Sequence, residues 1–291
     1  MIKPDRLGSV REMIEAHGLW ADKGFGQHFL FDLNITHKIA KQAGSLEQEW
    51  VIEVGPGPGG LTRALLDMPL KGLIAIEMDQ RLTKLLSELR EFYDERLICT
   101  FGDALKVSEA ELLQQFTGQI KAHIFSNLPY NIGTALLIKW LTGPWKPLSM
   151  TLMFQKEVAQ RITATVGDEH YGRLSILCAL TGTTDRRLDL PPQAFTPAPK
   201  VHSRVLHIVP KTDQALSPIE IKTLETITQA AFGQRRKMLK TTLKAFNSNS
   251  LLDKINIDEK CRAEELSPND YLRLVRAVVN LNSHLSQAPL A

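Results

Sequence analysis

The chain has 291 residues, of which 43% are hydrophobic and 23% charged, so a substantial core is available and neither a disordered nor a fibrous chain fits. A net charge of +3 and a sequence pI near 8.7 permit a nucleic-acid partner without requiring one. No apolar run can cross a bilayer, residues 1–10 carry no signal-like region, and Cys99, Cys178 and Cys261 lack metal or redox spacing. Free thiols in a cytosolic protein are therefore expected.

The first informative stretch is Lys23-Gly24-Phe25-Gly26-Gln27-His28-Phe29-Leu30, whose two glycines suggest a loop able to approach a ligand. A plainer reading makes it part of an N-terminal arm over a sheet. Ile35, Ile39 and Ala43 then share one helical face. Residues 50–54 read as a strand, 55–60 as the glycine turn Gly55-Pro56-Gly57-Pro58-Gly59-Gly60, and 61–66 as a helix. The apolar run 73–76 ends at Glu77, about 20 residues after Gly57, the spacing of an acid that bonds a ribose hydroxyl. This is the first βαβ unit of a Rossmann-like domain. Gly55, Gly57 and Gly60 also satisfy the dinucleotide fingerprint, but Pro56 and Pro58 remove backbone donors that a pyrophosphate wants.

A helix is expected over 81–93 and a strand over 97–100, followed by Gly102-Asp103-Ala104. Asp103 is placed either to accept from an adenine amino group or to cap a helix. The apolar strand 122–125 leads into Asn127-Leu128-Pro129-Tyr130, at the carboxyl edge where open α/β sheets bind ligands. An aromatic amine is a poor nucleophile because its lone pair spreads into the ring. The Asn127 side-chain oxygen and a backbone carbonyl next to Pro129 could accept its two N–H groups and localise that pair, while Tyr130 stacks on the base. Taken alone, the four residues read equally as a strand-ending turn with a core tyrosine.

Further helices are expected over 134–141, 155–162 and 171–180, with a strand over 149–154. Lys156 and Arg161 are phosphate contacts or, more commonly, a solvated face. Residues 190–200 are proline-rich and exclude a helix interior or central strand. Phe195 within them either closes over a base or fills a groove in the core. The alternation over 201–209 reads as a long strand that could end the sheet. From about residue 211, helical periodicity replaces strands, with candidates over 219–232, 234–246 and 268–281. The last carries the stripe Tyr271, Leu274, Val275, Val278 and Val279, capped by Ser267. Arg235, Arg236 and Lys237 would grip nucleic-acid backbone or form an exposed polar face.

Together these blocks resemble the small-subunit ribosomal RNA adenine N6,N6-dimethyltransferases of the KsgA type. Residues 23–30, 53–59, Glu77, Gly102-Asp103, 127–130, 155–161 and 195–203 match the family's successive motifs in order. Residues 232–237 and 262–264 match its C-terminal part, so the likeness spans nearly the whole chain.

The resemblance implies an α/β Rossmann-like methyltransferase domain over 1–210 and a smaller helical domain over 211–291 that docks RNA or the ribosome. It implies S-adenosylmethionine as cofactor. His28 and Leu30 would line the methionine end, and Gly55 would allow close approach. Glu77 would hold the ribose hydroxyls and Asp103 the adenine amino group. Asn127 would touch both cofactor and target amine, with Pro129, Tyr130 and Phe195 completing the target site. Arg235, Arg236 and Lys237 would contact RNA. His28 departs from the family's usual asparagine. The expected substrate is a pair of neighbouring adenosines in a hairpin loop near the 3′ end of small-subunit RNA, met in an immature subunit. A monomer without metal is expected. The competing readings are a macrolide-resistance relative acting on large-subunit RNA, a non-catalytic assembly factor, and a nicotinamide oxidoreductase.

Overall fold

The computed structural model describes residues 7–20, 27–213, 215–246 and 248–286. The chain divides into two compact units, Met1–Ala159 with Asp185–Pro210, and Gln160–Thr184 with Lys211–Ala291. This differs from a division at residue 210. Residues 160–184 contain the helix Arg173–Thr181, whose apolar side chains join the second unit's core.

In chain order the first unit begins with α1 (Val10–Ala16), β1 (Phe29–Leu30) and α2 (Leu33–Ala40). It continues through β2 (Trp50–Val54), α3 (Gly60–Leu66), β3 (Gly72–Glu77), α4 (Thr83–Tyr93) and β4 (Leu97–Phe101). Next come α5 (Glu109–Thr117), β5 (His123–Asn127), α6 (Gly133–Thr142) and β6 (Met150–Gln155), and α7 (Lys156–Thr163) leads out of it. After α8 (Arg173–Thr181) the chain forms β7 (Gly182–Leu190), β8 (Phe195–Thr196) and β9 (Ser203–Pro210).

Seven strands make one sheet in the order β4-β3-β2-β5-β6-β9-β7. The first five are parallel, and β9 runs antiparallel to β6. Every residue of β2 and β3 is buried, as expected for a parallel sheet covered on both faces. Each fully buried Ile, Leu or Val there contributes roughly 1.5–3 kcal/mol. The chain order reverses between β2 and β5, which opens a crevice at their carboxyl ends. Val51 lies opposite His123 and Glu53 opposite Phe125. The ends of β2 and β5 therefore deliver Gly55 and Asn127 to the same edge.

Two expectations change here. The strand at 201–209 is β9, and it lies inside the sheet; β7 takes the end. The β7 sequence, Gly-Thr-Thr-Asp-Arg-Arg-Leu-Asp-Leu, is largely exposed, so it offers no apolar run to signal a strand. The proline-rich segment forms a turn at Pro192–Ala194 and then β8, which pairs with β1 through Leu30–Phe195.

The second unit contains α9 (Pro218–Gly233), α10 (Leu239–Thr242), α11 (Ser248–Lys254) and α12 (Pro268–Ser286). The helix expected over 234–246 is instead a turn, a single helical turn in α10 and a 3-10 turn at Lys244–Phe246. Tyr271, Leu274, Val275 and Val278 of α12 are buried beside Tyr171, Ile176 and Leu180. Ser267 caps α12 through the Asp270 N–H at 3.2 Å, and Asp270 accepts back from Ser267 N at 2.9 Å.

Candidate active site

A cavity of about 340 Å³ opens at the carboxyl edge of the parallel strands. His28, Leu30, Gly55, Glu77, Asp103, Asn127, Pro129 and Tyr130 all line it. Residues 23–26 of the N-terminal loop lie outside the described residues. Phe195 is not brought to the cavity. It is 3% exposed and packs in the core with Phe29, Leu30 and Val205. Its pairing to β1 holds it there, the place that the groove-filling one of its two readings describes.

Asn127 ends β5. Its Nδ2 donates to the His28 carbonyl at 2.9 Å, a bond that orients the amide and leaves Oδ1 for another partner. The His28 side chain is used elsewhere, since Nδ1 donates to the Pro197 carbonyl at 2.8 Å. Its ring lies 5.4 Å from that of Tyr130. The Tyr130 hydroxyl shares a hydrogen bond of 3.0 Å with Ser203, whose side chain is buried. Burial pushes the Tyr130 phenol above its ordinary range, partly countered by Ser203. The ring is thus fixed at both ends. The backbone carbonyl expected as an acceptor next to Pro129 is not that of Pro129 itself. The Pro129 carbonyl accepts from Ile132 N at 3.2 Å and Gly133 N at 3.1 Å, opening α6, so it is already occupied.

Glu77 ends β3 and is 6% exposed. Its carboxylate accepts from Gly57 N at 3.0 Å, Met78 N at 2.8 Å and Asp79 N at 2.9 Å. Burial raises its pKa, and these three N–H groups work against the rise. Asp79 is held low by Arg81, which bonds it at 2.6 Å, and Gln27 donates to it at 3.1 Å. Asp103 accepts from Leu105 N through one oxygen at 3.0 Å, and its other oxygen lies 3.8 Å from Lys106 Nζ. Gly55 has φ +71°, and a Cβ there would meet nothing within 4 Å. The backbone therefore borders open cavity at that point, room that a ligand can use.

Glu53 lies inside the matched motif 53–59, but no role is assigned to it from sequence. It lines the cavity from the penultimate position of β2, 1% exposed, and accepts from Thr62 Oγ1 at 2.6 Å. Burial, with Glu77 nearby, pushes it up to about 8. A signal was present, because a glutamate inside Trp-Val-Ile-Glu-Val is a charged residue in a fully buried strand.

The lining discriminates among cofactors. It carries the carboxyl groups of Glu77 and Asp103 beside a Glu53 that burial keeps largely protonated at neutral pH, and no lysine or arginine among the described residues. A pyrophosphate would find repulsion there, whereas a cationic or neutral nucleoside would not. Apolar Met78 and Leu105, 58% and 38% exposed, stand at the same edge as Asp103.

Fold and site together define a Rossmann-like methyltransferase. Residues 20–279 match the model of the ribosomal RNA adenine dimethylase family, and the chain belongs to that family. It is 50% identical over 273 residues to the ribosomal RNA small subunit methyltransferase A of Phenylobacterium zucineum, spanning 94% of this chain and 93% of that protein. The protein of the same name from Agrobacterium fabrum is 50% identical over 277 residues, spanning 94% and 99%. Among solved structures, a dimethyladenosine transferase from Plasmodium falciparum has TM-score 0.72 at 27% identity, covering 88% of this chain and 98% of that one. The 23S rRNA methyltransferase ErmE shares the fold, with TM-score 0.65 at 21% identity over 86% of this chain and 99% of that one.

Proposed function

We propose that this chain dimethylates the N6 amino groups of two adjacent adenosines in a hairpin loop near the 3′ end of small-subunit ribosomal RNA, using S-adenosylmethionine. It acts in the cytosol, as a monomer, on the immature subunit, and so contributes to ribosome biogenesis. The observation that carries the reading is the Asn127 amide, oriented by the His28 carbonyl in the same cavity as Glu77 and Asp103. The small-subunit relatives at 50% identity favour this target over the large-subunit one. The carboxyl-rich lining disfavours a nicotinamide dinucleotide.

When bound, S-adenosylmethionine supplies a methyl group made electrophilic by its positively charged sulfur. Glu77 would accept from the ribose hydroxyls and Asp103 from the adenine amino group. Met78 and Leu105 would flank that base. His28 and Leu30 would line the methionine end, with Gly55 giving the backbone clearance. The target adenine is flipped out of its stack and laid on Tyr130. Asn127 Oδ1 accepts one of its N–H groups. The Leu128 carbonyl, next to Pro129, accepts the other, because the Pro129 carbonyl is engaged in opening α6. These two acceptors draw the amine out of conjugation and aim its lone pair. The N–C bond would form as the methyl's bond to sulfur breaks, with that electron pair returning to the sulfur of S-adenosylhomocysteine, and the amine's proton would leave to solvent. In the second round one N–H remains, so one acceptor suffices and the pocket must admit a methyl group.

The deciding experiment is mass spectrometry of small- and large-subunit RNA after incubation of each immature subunit with protein and S-adenosylmethionine. Two neighbouring dimethyladenosines in small-subunit RNA are expected. Modification confined to large-subunit RNA, or none in either by protein that binds the cofactor, would reject the proposal.

A further inference from the structure

The loop that follows β4 presents Asp103, Ala104 and Leu105 to the cavity. Lys106 N and Val107 N both donate to the Asp103 carbonyl, at 2.8 and 3.0 Å, which makes a tight turn. The outward-facing carbonyls of that turn converge on one side chain. Lys139 Nζ, in the last turn of α6, donates to Ala104 O at 2.7 Å, Val107 O at 2.6 Å and Glu109 Oε1 at 2.8 Å. An ammonium has three donors, and all three are used. Glu109 has a side chain only 4% exposed, and its same oxygen also accepts from Trp140 Nε1 at 2.6 Å.

The arrangement does more than neutralise a buried carboxylate. The contact with Glu109 alone would satisfy that need, whereas the two carbonyls bracket the turn that carries Asp103. The other end of α6 begins at Pro129, whose carbonyl receives the helix's first N–H groups. A single helix is therefore bonded at one end to the motif assigned to the target amine and at the other to the loop assigned to the cofactor base. We infer that Lys139 is a positioning residue for cofactor recognition. By gripping Ala104 and Val107 it keeps Asp103 in the attitude that accepts from a purine amino group.

The inference rests on the assignment of Asp103 to the cofactor's adenine, so its test must separate the two. Calorimetry would compare S-adenosylhomocysteine with its analogue bearing hydrogen in place of the purine amino group. The unaltered chain should prefer the amino compound. Lys139→Met should weaken that compound by about ten-fold, the scale of one well-placed hydrogen bond, and leave the analogue almost unchanged. The preference then disappears. Equal weakening of both compounds, or no change in either, overturns the inference, because a merely structural lysine would lower the melting temperature without altering the ratio. If Lys139→Met does not fold, Lys139→Arg keeps the charge but cannot place three donors in the same cluster. It should lose part of the preference, and an intact preference overturns the inference. An unaltered chain that binds neither compound, or both alike, removes the assignment of Asp103, and the inference with it.

Discussion

In the proposed reaction Asn127 concentrates the chemistry, and its two functions are separable by atom: Nδ2 bonds the His28 carbonyl, and Oδ1 is left to accept from the amine. Asn127→Ala should reduce turnover by about a hundred-fold or more, since misaligned reactants lose rates of that order, while calorimetry still detects cofactor binding. Transfer at the native rate would withdraw the residue's role. Glu53 gives a second test. Burial raises its pKa in the folded chain to about 8, above the ordinary carboxyl value of 4.5, so the folded state binds its proton more tightly than the unfolded state does. Its contribution to stability is then complete below about pH 4.5 and is lost as pH rises towards about 8. Glu53→Gln keeps an acceptor for Thr62 and removes the titration. It should melt higher than the parent at pH 8, by about 1–3 kcal/mol in unfolding free energy, with the difference vanishing near pH 4. A parallel pair of stability–pH curves would show that folding does not raise the pKa of Glu53.

At the scale of elements, the site depends on how closely α3 approaches β1. A Cβ on Gly60, the first residue of α3, would lie 2.3 Å from the backbone oxygen of Leu30. Backbone cannot rotate away as a side chain can, so β1 would have to move, and with it the His28 carbonyl that holds Asn127. Gly60→Ala is expected to destabilise the fold by about 2–3 kcal/mol in urea titration and to weaken cofactor binding as well. A variant with native stability would mean that the arm is not clamped at this point. The β1–β8 pair has a related function. It draws Phe195 into the core and places Pro197 where its carbonyl can receive the His28 side chain. A proline-rich stretch with two-residue pairing is hardly visible in sequence, because its partner is 165 or more residues away and no local period announces it.

For the molecule as a whole, the question is what grips RNA. Arg235, Arg236 and Lys237 are all exposed, but Arg235 is already paired with Glu264 and donates to the Glu169 carbonyl at 3.1 Å. Its charge is therefore partly spent within the second unit. Arg236→Glu with Lys237→Glu should weaken association with the immature subunit and flatten its salt dependence, by about 0.7–0.9 in logarithmic slope for every phosphate that is no longer neutralised. Arg235→Glu should instead lower the second unit's stability, since it would face Glu264. An unchanged salt slope in the double variant would take the cluster off the binding surface.

Much of this protein was legible from local pattern. The buried parallel strands announce themselves as apolar runs, because both faces are covered and no alternation is needed. The glycine turn, Glu77, Asp103 and Asn127-Leu128-Pro129-Tyr130 each stand just after such a run, and the topology then carries them to one edge. What needed the tertiary structure was every fact set by a distant partner. The burial of Phe195, the engagement of the Pro129 carbonyl, the place of β7 at the end of the sheet and the membership of residues 160–184 in the second unit are of this kind. Periodicity reports which face a residue turns to the core, but only packing decides which atoms meet there, and the hydrogen bonds of Asn127 and Lys139 on which the proposals rest lie in those atoms.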